Sequence, residues 1–161
     1  MPPARPRPGH ARLDLEHFLP YRLSVLSNRV SQTIAGAYAR RFGIGITEWR
    51  VIAVLGRYPG LSANGVAART AMDKVAVSRA VARLLDRGLL ARDTHGEDRR
   101  RSVLALSEAG HRIYDEVVPL ALAYERRLLA PLDETERAQL DRLLRKLGDG
   151  VDALETGDAA G

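Results

Sequence analysis

The chain has 161 residues, 45% of them hydrophobic but only 5% aromatic, so one modest core must be built mainly from Leu, Val and Ala. It contains no cysteine, which excludes disulfides, thiolate zinc sites and cysteine-based redox sensing. The formal net charge of +5 is unevenly spread: residues 1–42 carry seven arginines against two acids, residues 43–110 eleven basic against seven acidic side chains, and residues 111–161 seven against eleven. Positive charge concentrated in the first two stretches points to an anionic polymer as partner. No apolar run reaches the roughly 18 residues of a membrane span, and no apolar core follows the N-terminal arginines as in a secretory signal. The expected location is the cytoplasm.

Residues 1–12, MPPARPRPGHAR, alternate proline and arginine and are read as a disordered basic tail. From Leu13 to Phe42, Leu15, Phe18, Leu19, Leu23, Leu26, Val30, Ile34, Ala37 and Tyr38 recur at threes and fours, which predicts a long helix with Pro20 near its start and Gly43 and Gly45 after its end. So long an apolar helix exceeds what a small domain can cover. Residues 13–46 are therefore expected to form an N-terminal dimerisation helix. Thr47 is the expected cap of a second helix with Trp49, Ile52, Ala53 and Leu55 inward, ending at Tyr58-Pro59-Gly60. Ser62 caps a third, with Val66 and Ala67 inward.

The next stretch is the most informative. Asp73 is a good N-cap, Gly88 a stop after Arg87, and Val77, Val81, Leu84 and Leu85 fall on one stripe between them. Lys74, Ser78, Arg79 and Arg83 fall off the stripe and face outward, a pattern suited to a major groove. Leu89–Asp93 and Ser102–Leu106 read as strands of a hairpin with Gly96 in its loop and Arg99, Arg100 and Arg101 at its tip. Three adjacent arginines repel one another; their use is against phosphate or a narrow minor groove. Ser107 then caps a helix carrying Ile113, Val117, Val118, Leu120 and Leu122, with Pro119 expected to kink it. Asp133 to Glu136 resembles a capping box and opens a last helix with Leu140, Leu143, Leu144, Leu147, Val151 and Leu154 on one stripe. Residues 47–107 are thus the expected DNA-binding region, 108–155 C-terminal dimerisation helices, and 156–161 a disordered tail.

In this order of elements, residues 18–150 resemble the multiple antibiotic resistance regulator (MarR) family of winged helix-turn-helix proteins. The pieces that carry the resemblance are Gly88-Leu89-Leu90-x-Arg92, Asp98-x-Arg100, LSEAG, Ile46 to Leu55 and Met72 to Leu84. Gly65 departs from it, standing where a helix former would complete a capping box with Ser62. The fold expected is mainly α with a small β-hairpin wing, the winged helix-turn-helix flanked by N- and C-terminal dimerisation helices.

The resemblance implies a homodimeric regulator, a repressor, on a pseudo-palindromic operator of double-stranded DNA. Lys74, Ser78, Arg79 and Arg83 are the expected contacts from the helix, and His95, Arg99 and Arg100 from the wing, which Asp98 braces. It also implies a small aromatic acid or its thioester as effector, with Tyr21, Arg22, Tyr38, Trp49, Arg50 and Tyr114 on the elements that would line its cavity. No cofactor and no catalysis are expected, because zinc-protease, serine-hydrolase and phosphate-loop motifs do not occur. The alternatives are a metal-responsive regulator of the same fold, using His17 and His111 with Glu16 or Glu116, and a winged-helix protein-interaction module.

Overall fold

The computed structural model describes residues 9–94 and 102–158. Expectations for the first eight residues, for the wing tip with His95, Asp98, Arg99 and Arg100, and for residues 159–161 lie outside the described residues.

Helix α1 spans Leu19–Phe42 and starts later than the apolar periodicity suggests. Pro20 decides this: in mid-helix its ring would strike the Glu16 carbonyl, whereas in the first turn its missing N–H is not needed. Gly43 closes the helix in the left-handed region, its N–H donating to Ala39 O at 2.9 Å. Helix α2, Ile46–Arg57, is capped from Gly45, not from Thr47. The Glu48 carboxylate accepts the Gly45 N–H at 3.0 Å, and Thr47 already lies inside the helix.

Helix α3 (Ala63–Thr70) and helix α4 (Lys74–Asp86) begin at the expected caps: Ser62 Oγ accepts from Gly65 N at 3.1 Å and an Asp73 carboxylate oxygen from Ala76 N at 2.8 Å. Strands β1 (Leu90–Thr94) and β2 (Ser102–Leu106) form an antiparallel hairpin in register Leu90 to Leu106, extended by a bridge between Leu61 and Leu104. The core beneath them holds Val51, Ile52, Leu55, Val66, Val77 and Leu84, all essentially inaccessible, so α2, α3, α4 and the hairpin share one interior.

Helix α5 runs Glu108–Leu129 and helix α6 Glu134–Asp158. Ser107 caps α5 as expected, accepting the Gly110 N–H at 3.1 Å while its own hydroxyl donates to Gly88 O at 2.6 Å. The chain divides into two compact units, one through Val118 and one from Pro119, with Pro119 inside α5. In the second unit Asp133 and Glu136 form a reciprocal capping box, at 2.9 and 2.8 Å. Arg137 closes the turn before it by donating to Leu129 O and Leu132 O. Residues 156–158 belong to α6, where the sequence suggested a tail; Thr156 continues the helix and donates to Asp152 O at 3.0 Å.

Candidate nucleic-acid interface

Helix α4 has two unlike sides. Val77, Ala80, Val81 and Leu84 are buried, while Lys74, Val75, Ser78, Arg79, Ala82 and Arg83 are exposed. The inward stripe is wider than the sequence suggested: Ala80 joins it, and Leu85 is only half-buried. Positions 78 and 82 on this exposed side carry the short side chains Ser78 and Ala82. Lys74 and Arg79 have no hydrogen bond or ion pair among the described residues. Their donors remain available for base edges or phosphates.

Arg83 is placed differently from Arg79. Its Nε donates to Glu48 Oε1 at 2.5 Å, and its side chain remains 54% exposed beside a carboxylate that is 10% exposed. Burial works to raise the Glu48 pKa. The Arg83 and Gly45 hydrogen bonds and the fields of Arg83 and Arg87 outweigh burial, and the net shift is downward, so Glu48 stays ionised. Arg87 donates from both terminal nitrogens, to Gly43 O at 2.8 Å and Phe42 O at 2.7 Å, filling the free carbonyls at the end of α1.

Sequence reasoning missed Glu48 and Arg87. A signal for Glu48 was present, because an acid at the head of the stripe completed by Val51, Ile52 and Leu55 must bury its charge or pair it. The segments 43–47 and 106–110 are both held by specific contacts: the first by Arg87 and Glu48, the second by Ser107 and by Gly110, where a Cβ would strike the Leu89 carbonyl.

The six residues suggested for an effector cavity fall into two groups. Tyr38, Trp49 and Tyr114 form a run of rings, with centroids 5.6 and 6.3 Å apart. Arg50, next to Trp49, donates to Ser31 Oγ at 2.8 Å. Tyr38 is 1% exposed and its hydroxyl has no hydrogen-bond partner among the described residues. Burial raises its pKa, against the opposing field of Arg50. Tyr21 and Arg22 are not part of this group. They line an open groove with Leu19, Val25 and Leu26 near the start of α1, some 25 Å along the helix from Tyr38.

Two of the ligands suggested for a metal have other partners. His17 meets Asp14 at 2.8 Å, and Glu116 pairs with Arg41. No cluster of three metal-binding side chains occurs among the described residues.

A helix-turn-helix with a polar, basic outer face, closed by an antiparallel hairpin and framed by long helices, defines a winged-helix DNA-binding protein. The sequence profile described as MarR family matches residues 42–101. The HTH-type transcriptional regulator BilQ of Clostridium symbiosum (strain WAL-14163) is 31% identical over 106 residues, which cover 66% of this chain and 74% of BilQ. A MarR/EmrR family transcriptional regulator from Acinetobacter sp. ADP1 superposes with a TM-score of 0.81 at 33% identity, over 88% of this chain and 99% of that one. The PcaV transcriptional regulator from Streptomyces coelicolor, solved in complex with its natural ligand, gives 0.73 at 25% identity, again over 88% and 99%. This chain belongs to the MarR family and is a DNA-binding transcription regulator.

Proposed function

We propose that the chain acts as a homodimeric repressor, each protomer setting α4 into a major groove of a pseudo-palindromic operator and its wing arginines against the adjacent minor groove. The observation that carries this reading is the outer face of α4, where Lys74 and Arg79 stand exposed, with no hydrogen bond or ion pair among the described residues, beside the small exposed residues Ser78 and Ala82. Arg79 is the candidate for bidentate contact to a guanine, and Arg83 for phosphate. His95, Arg99 and Arg100 are the wing contacts, with Asp98 bracing them. Dimerisation is assigned to residues 13–46 and 108–155, whose leucines lie uncovered in the single chain. No helix among the described residues is long and apolar enough to cross a membrane, which agrees with a cytoplasmic regulator.

The effector in this reading is a small aromatic acid or its thioester, held by Tyr38, Trp49, Arg50 and Tyr114. A buried hydroxyl without a partner costs about 1–3 kcal/mol, and a polar ligand atom would satisfy it. PcaV, which takes a natural ligand, supports an effector site in this fold.

The test begins with selection of operator DNA from a random pool. Arg79→Ala should relax preference at one base position at a cost of about 1–3 kcal/mol, and Arg100→Ala should weaken all sequences alike with a smaller salt slope. Aromatic acids are then titrated with and without operator; linkage requires equal and reciprocal weakening. Arg50→Ala and Tyr38→Phe should blunt the response while Arg22→Ala leaves it intact. Operator binding unchanged by both arginine variants refutes the docking; operator affinity unmoved by every acid refutes the effector site alone.

A further inference from the structure

The pairing of Glu48 with Arg83 is an unusual way to hold an arginine. An arginine that serves only to cross-link two helices gains most from its fork, with Nε and one Nη donating in parallel to both carboxylate oxygens. Here that arrangement is not formed: Glu48 Oε2 accepts the Gly45 N–H at 3.0 Å, and the contact with Arg83 is made by Oε1. Glu48 Oε1 takes the Nε–H alone, at 2.5 Å, and both Nη groups of Arg83 are left without a partner among the described residues. The carboxylate is buried and the guanidinium half-exposed, on the same outer face as Arg79, four residues away. The inner edge of the guanidinium is fixed and its outer edge, with four N–H donors, is free. Arg87, one turn further on, is the contrasting case: both of its Nη groups are spent on the backbone of Phe42 and Gly43.

We infer that Glu48 is a positioning residue for DNA binding, which grips Arg83 by its Nε and presents the two Nη groups as a preset donor pair for one backbone phosphate. The inference rests on the proposed docking of α4. An arginine held in this way loses less rotamer freedom on reaching phosphate than one waving from the surface, so Glu48 raises affinity without touching DNA. It does so equally for every sequence, since phosphates carry no base information.

Glu48→Gln separates this role from simple capping. The glutamine has one acceptor oxygen; if that oxygen keeps the Gly45 N–H, its NH2 faces the Arg83 Nε–H donor to donor, and the grip is lost. Binding of the selected operator and of a random-sequence duplex is measured by fluorescence anisotropy across a salt series, for the parent, Glu48→Gln, Arg83→Ala and the double variant. Both single variants should bind the two duplexes about 3- to 10-fold more weakly, each with a salt slope smaller by about one, the value for one lost phosphate. The double variant should bind no more weakly than Arg83→Ala. An unchanged slope in Arg83→Ala, or further weakening by Glu48→Gln when Arg83 is already absent, overturns the inference. Should Glu48→Gln fail to fold, Arg83→Lys takes its place: it keeps the charge but has neither the Nε grip nor the paired Nη donors, so it should lose the same factor of about 3 to 10, and parent-like binding by it overturns the inference. Arg79→Ala is measured alongside: if it alone perturbs binding, the positioning role falls and the docking stands, whereas silence of all the variants removes the docking itself.

Discussion

Glu48 and Ala71 show how single residues set the chemistry of the DNA-binding unit. Because the hydrogen bonds and arginine fields outweigh burial, the folded-state pKa of Glu48 lies below the ordinary 4.5. A depressed carboxylate contributes stability that is fully present above the unfolded value and is lost as pH falls through the folded one. Urea midpoints of the parent should therefore drop more steeply below about pH 4.5 than those of Glu48→Gln, which should start lower at neutral pH and lie closer to the parent in acid. Parallel curves would mean that the carboxylate is not paired in solution. Ala71 is the one non-glycine residue with positive φ among the described residues, at φ 49°, in the turn from α3 to α4. That conformation costs an L-residue about 1–2 kcal/mol, and added glycine entropy in the unfolded chain returns about 0.4–1 of it. Ala71→Gly should thus raise stability by about 0.5 kcal/mol, read as a higher denaturation midpoint.

At the scale of elements, the way α5 leaves the hairpin depends on a glycine for a reason that no periodicity reveals. Gly110 sits in the first turn of α5 against the Leu89 carbonyl, which itself accepts the Ser107 N–H at 3.1 Å. A methyl group there would push backbone against backbone, and neither side can rotate away. Gly110→Ala should destabilise the fold by about 1–3 kcal/mol, the range for overpacking. The same change at Gly65 in α3 should have the opposite sign: its added Cβ would meet only the flexible Leu61 side chain and Ser62 Oγ, at 3.4–3.5 Å. There the gain in helix propensity of up to about 1 kcal/mol should prevail. Thermal melts of the two variants check the pair, and equal signs would contradict this account of both sites.

For the whole molecule, the question is what covers the leucines. In the single chain Leu26 is 57% exposed on α1 and Leu144 51% on α6, each amid other exposed apolar residues. Patches of this kind mark interfaces, and two-fold symmetry buries each residue twice. Leu26→Asp and Leu144→Asp should each remove about 3–6 kcal/mol from a dimer, more than 100-fold in its dissociation constant. Sedimentation should then show monomers at micromolar concentration, and operator affinity should fall with the loss of the second half-site. A variant that stays dimeric excludes its face from the interface.

The sequence by itself determined the kinds of element, their order and most of their caps. These are local properties: the stripe of α4 and the caps Ser62, Asp73, Ser107 and Asp133 all lie within a few residues of what they satisfy. It also separated the outward face of α4 from its buried one, leaving Ala80 unassigned and placing Leu85 on the core side, where it is half-buried. Tertiary structure decided what depends on distant partners. Arg83 meets Glu48 across 35 positions and Arg87 meets Gly43 across 44, so two arginines four residues apart, alike in sequence, take different partners. The six residues suggested for an effector divided because Tyr21 and Tyr38 share a helix but not an end of it, whereas Trp49 and Tyr114, far apart in the chain, stand ring to ring. Periodicity reports which side of an element is buried. Which particular atom waits on the other side is settled only when the elements pack.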